Sequence, residues 1–186
     1  MNTIAPTHPA AMPAAVAGWK RRVLRISSLC EILFGSIWIA NALRPHIPVA
    51  AAVVLATGAI MFAISVRATR GSAPRPSGPQ ARALERRITI ATVVQIVATL
   101  VFPVVLAPAG LGSFVLPAIV ASVGVLFVWL GRELHIPRLR ALGIALVVVP
   151  IAAMALLPAS AQTTALLAAA GTLMLATGAR GARTVS

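Results

Sequence analysis

Six apolar stretches of roughly twenty residues, separated by tight turns or by arginine clusters, govern what this chain can fold into. About twenty apolar residues are what a helix needs to cross about 30 Å of hydrocarbon. The stretches cover residues 23–42, 48–66, 88–107, 113–131, 139–157 and 161–179. In lipid each backbone polar group must be satisfied within its own segment, so every stretch is expected to be a helix. A soluble alternative fails on composition. Soluble domains carry about 25% charged residues, whereas this 186-residue chain has 10% and only three acids, Glu31, Glu85 and Glu133. The expected fold is all-α, a six-helix transmembrane bundle.

The connections at 43–47, 108–112 and 158–160 are too short for anything but antiparallel hairpins. The connection at 67–87, "RATRGSAPRPSGPQARALERR", holds Pro, Gly and Ser at its centre and reads as a flexible linker. The chain therefore divides into a mobile tail (1–22), hairpin one (23–66), the linker (67–87), hairpin two (88–131) and hairpin three with a short tail (132–183).

Basic residues set the orientation. Fifteen of the sixteen lie in the N-terminal flank, the linker, the turn at 132–140 and the C-terminal tail, and Arg44 stands alone on the other side. The positive-inside rule then puts both termini and the linker in the cytoplasm, and the localisation expected is a bacterial cytoplasmic membrane. The same distribution accounts for the net charge of +13 without nucleic acid, because the arginines flank apolar runs and line no single helix face. Anionic lipid headgroups are the expected partners of this belt. Cys30, the only cysteine, sits inside the first stretch and reads as a small buried hydrophobe.

The second and sixth stretches resemble each other. "VVLATGAIMFAISVRATR" (53–70) aligns without gaps to "LLAAAGTLMLATGARGAR" (166–183), pairing Gly58 with Gly171, Met61 with Met174, Arg67 with Arg180 and Arg70 with Arg183. The offset from Pro103 to Gly124 equals that from Pro150 to Gly171, which relates hairpins two and three. Three hairpin repeats of one orientation are expected, with Gly58, Gly124 and Gly171 marking helix-packing faces, since small residues allow backbones to approach closely in lipid.

Glu31 is the one acid inside a span, about 12 Å deep at 1.5 Å per residue. An ionisable group there is costly and marks a functional candidate. Ser27, Glu31 and Gly35 share a face, and Thr92, Gln95 and Thr99 form a second polar stripe on the third helix. The repeat register pairs Glu31 with Gln95. Two readings follow: a site for a proton, cation or polar solute, or a hydrogen bond that glues two helices together. No phosphate loop, nucleophile elbow, paired carboxylates or metal-ligand cluster occurs in the sequence, so no enzyme, metal or cofactor is expected.

From Gln95 to Gly143 the chain looks like a loose group of small six-helix bacterial membrane proteins. The likeness rests on Gln95 followed by Pro103, a span opening near Pro117, Gly124 with Phe127, a basic turn and Gly143. Relatives of that group often carry a histidine where Leu126 stands here, so any role of that side chain is missing. The resemblance implies six helices and no activity. The function classes that remain are binding or passage of a small solute or proton within the bundle, or a non-enzymatic membrane subunit that packs on a partner or on a second copy of itself.

Overall fold

A computed structural model describes residues 14–69 and 79–183. Six helices make up the fold: α1 (Ala14–Leu43), α2 (Pro48–Thr69), α3 (Pro79–Leu106), α4 (Val115–Glu133), α5 (Pro137–Leu156) and α6 (Ala159–Arg183), with one 3₁₀ turn at Gly112–Phe114. Three helices begin on proline, at Pro48, Pro79 and Pro137. Proline's missing N–H is harmless there, because the first N–H groups of a helix have no intrahelical partner. At the other end of α5, Gln162 Nε2 donates to the Leu157 carbonyl at 3.0 Å, so a side chain from α6 satisfies a group the helix leaves open.

Five helices hold windows long and apolar enough to cross a membrane: Ile26–Leu43, Arg82–Leu106, Gly112–Glu133, Pro137–Leu156 and Ala159–Gly181. The apolar window of α2, Pro48–Ile64, is shorter. Two boundaries differ most from the sequence reading. Helix α1 already runs from Ala14, inside the segment expected to be a mobile tail, and α3 already runs from Pro79, inside the expected linker. In both places charged helix formers precede the apolar stretch, and the helix continues into them past the hydrocarbon-length window. The Pro- and Gly-rich centre of the linker, 70–78, lies outside the described residues.

The helices pack in the row α2–α1–α6–α5–α4–α3, and a light contact between α4 and α6 curls it. The apolar core lies where α4, α5 and α6 meet, around Val120, Phe127, Leu139, Leu146, Leu166 and Met174. The row ends are different. Helix α3 packs against α4 and the adjoining 3₁₀ turn, and exposes Val94, Val97, Leu100 and Val104. In water such a surface would be a liability; toward lipid tails it carries no penalty.

Two seams in the row are built alike. Between α1 and α6, a Cβ added to Gly35 would lie 2.8 Å from the Gly171 carbonyl oxygen and 2.9 Å from the Leu175 nitrogen. Between α4 and α5, a Cβ added to Gly124 would lie 2.7 Å from the Gly143 carbonyl oxygen and 2.9 Å from the Val147 nitrogen. Laying α6 on α4 with Gly171 over Gly124 also brings Leu175 onto Val128 and Gly178 onto Gly131. Gly178 then faces Ile32 as Gly131 faces Arg140. The seven-residue spacing from Gly124 to Gly131, and from Gly171 to Gly178, is about two helical turns and keeps both glycines on one side of their helix. Hairpin one departs from this scheme. Gly58 packs against Ser36 of its own hairpin partner, because α2 ends the row and, among the described residues, packs on α1. The three glycines therefore do not occupy equivalent contacts, as the repeat required.

Candidate intramembrane site

Glu31 is fully buried, at 0% exposure. Its surroundings come from three helices, and α3 is not among them. On α1 itself, one turn back, the Ser27 hydroxyl donates to Glu31 Oε1 at 2.8 Å. From α5, Arg138 brings its guanidinium to 3.6 Å from the same oxygen. That separation makes an ion pair but is too long for a hydrogen bond. The guanidinium is held elsewhere: Nη1 donates to the Thr177 carbonyl of α6 at 3.1 Å, and Nη2 donates to Ser28 Oγ of α1 at 3.1 Å. Ser28 in turn donates to the Leu24 carbonyl at 2.9 Å.

Local structure explains how Arg138 gets there. Pro137 opens α5, and Arg138 follows in its first turn. The route from α5 to α1 crosses the last turns of α6, where Gly178 and Gly181 carry no side chain. A Cβ on Gly181 would collide with the Arg138 guanidinium and with Ser28 Oγ. A Cβ on Gly178 would lie 2.9 Å from the Ser28 carbonyl oxygen and 3.1 Å from Glu31 Cβ. The bare end of α6 is thus the channel through which the arginine reaches the acid. The guanidinium side chain stays 23% exposed, consistent with an apolar stem along the helices and a head near the arginine-rich end. Glu31 is therefore level with the first turn of α5 and the last turns of α6, near the rim of the bundle rather than its middle.

One atom is left over. Among the described residues, Glu31 Oε2 is the buried side-chain oxygen without a hydrogen bond. The nearby Thr177 hydroxyl donates to carbonyls of its own helix, to Leu173 at 2.7 Å and to Met174 at 3.1 Å. An unpaired carboxylate oxygen away from water costs free energy unless a proton, cation or donor reaches it.

The expected pairing of Glu31 with Gln95 is not what the fold provides. Gln95 Nε2 donates to Ser122 Oγ on α4 at 2.9 Å and to Thr99 Oγ1 at 3.3 Å. Thr99 donates to the Gln95 carbonyl at 2.9 Å, and the exposed Thr92 donates to the Ile88 carbonyl of its own helix at 2.9 Å. Of the polar stripe of α3, Gln95 reaches across to α4, and the two threonines bond within their own helix. Of the sequence candidates, the structure joins Ser27 to Glu31 and groups Gln95 with Thr99 elsewhere. Ser28, Arg138, Thr177 and Gly181 were missed. The signal for them lay in "GARGAR", whose glycines three apart clear one side of a helix end, and in Arg138, which orientation counting treats like every other arginine.

No protein family, curated protein or solved structure matches this chain. The class defined by fold and site is an all-helical bundle with membrane-length apolar helices and a buried glutamate paired with a partly exposed arginine at its arginine-rich rim.

Proposed function

We propose that this chain is a non-enzymatic, multi-pass protein of a bacterial cytoplasmic membrane that binds or passes a proton or small cation at Glu31. The observation that carries the reading is a carboxylate at 0% exposure with one oxygen unpartnered, inside a membrane-length helix. In reconstituted vesicles, wild-type protein should support pH-dependent proton or cation movement, and Glu31→Gln should keep the fold but abolish it. Undiminished movement in the glutamine variant would end the assignment. A second reading has its own support. The broad apolar face of α3 suits packing against another membrane protein or a second copy, which would make the chain an accessory subunit. Co-purification in mild detergent separates the two.

The orientation belongs to the same proposal. Arginine-rich connections should face the cytoplasm, against anionic headgroups. In a Cys30→Ala background, Ser160→Cys in the α5–α6 turn should react with an impermeant thiol reagent from outside intact cells. Arg86→Cys, on the exposed first part of α3, should react only after the membrane is opened. Reversed labelling would overturn the orientation.

A further inference from the structure

We infer that the socket around Glu31 is a receptor for a guanidinium-type cation, and that Arg138 is its tethered occupant. The inference rests on Glu31 being a cation site and adds the chemical class of what it takes.

The socket offers acceptors on several sides of one flat head. The Thr177 carbonyl takes a bond from Nη1, Ser28 Oγ takes one from Nη2, and Glu31 Oε1 supplies the charge. Glu31 Oε2, buried and unbonded, is a further acceptor that the tethered head leaves unused. A planar cation with N–H groups around its edge matches this set better than an ammonium point charge or a metal ion does. The glycine at 181 leaves the guanidinium its place, since a Cβ there would overlap it. Access exists as well. The Arg138 side chain is partly exposed and enters from the first turn of a helix. The fit of the tether is imperfect: the ion pair is 3.6 Å long and one carboxylate oxygen has no hydrogen bond. A free guanidinium, not held by the α5 backbone, can settle closer and use both oxygens in the bidentate manner that such pairs favour. Binding of a free cation then requires Arg138 to leave, which detaches the start of α5 from α1.

Chemical rescue tests this on the purified full chain in detergent. Arg138→Ala should melt below the wild type, and methylguanidinium in the millimolar range should raise its melting point saturably. Urea, the neutral counterpart, and potassium chloride, the ionic-strength control, should not. In the Glu31→Gln, Arg138→Ala double variant, methylguanidinium should bind about tenfold more weakly or worse, the loss expected when a charge-assisted bond is removed. Arg138→Gln repeats the test should the alanine variant be too unstable. Should neither survive purification alone, recovery of folded protein when methylguanidinium is present throughout counts as rescue. Absence of any saturable effect on either variant, or an equal effect in the Glu31→Gln background, overturns the proposal. Rescue without transport by the wild type would keep the socket and remove only passage. Transport without rescue would keep Glu31 as a site and reject the ligand class.

Discussion

Arg138→Gln, with Glu31 left in place, is expected to destabilise the bundle by about 3–5 kcal/mol, the usual cost of removing one partner from a buried ion pair. Three contacts go at once. The Thr177 carbonyl and Ser28 Oγ lose their donors, and the fully buried carboxylate loses its counter-charge. Glutamine is too short to span the end of α6 as arginine does, and it brings no charge. The contrast is with Arg140, two residues on and exposed. Its replacement by glutamine should stay within about 0.5 kcal/mol, as for most surface substitutions. Thermal unfolding of both variants in one detergent checks the difference. Equal losses would mean that Arg138 is simply one more arginine of the basic belt.

Gly171→Ala and Gly124→Ala should each cost about 1–3 kcal/mol, the range for overpacking a close-fitted core. At either position the added methyl meets a backbone carbonyl of the facing helix, at 2.8 Å in one seam and 2.7 Å in the other. Backbone cannot swing aside as a side-chain tip can, so the two helices must separate. Separation weakens the van der Waals packing that holds helices together in lipid, where no hydrophobic force replaces it. Gly112→Ala is the control. Nothing lies within 4 Å of a Cβ there, and its melting point should not move. Leucine at 171 or 124 should be worse than alanine. Because the seams share one register, the two alanine variants should lose similar amounts, and a large effect at only one of them would break the equivalence.

What could be read in advance divides along a physical line. Helix positions follow from apolar length and from prolines at turns, both local properties, and the observed helices contain nearly all of the expected spans. That glycines mark close approaches was also legible, since only they admit backbone contact. Which helix each glycine would meet was not. The repeat suggested equivalent contacts for Gly58, Gly124 and Gly171, but the row has two ends, and α2 has one neighbour where α4 and α6 have more. The site failed for the same reason. Pairing Glu31 with Gln95 assumed that equivalent positions in two hairpins face each other, whereas neighbours across a seam come from non-equivalent helices. Arg138 belongs to α5, whose neighbours in the row are α4 and α6. Its long side chain, passing over Gly181, reaches Ser28 and Glu31 of α1, and no periodicity in α1 or α5 announces that.

A double-mutant cycle in detergent tests the placement of the site most directly. Glu31→Gln is combined with Arg138→Gln in one cycle and with Gln95→Leu in a second. Residues in one polar network couple by about 0.5–3 kcal/mol, and distant ones add to within about 0.5 kcal/mol. The site described here predicts coupling between Glu31 and Arg138, with the double variant losing less than the sum of the single losses, and simple additivity between Glu31 and Gln95. Coupling to Gln95 with additivity at Arg138 would contradict it, and would return Glu31 to a contact with α3.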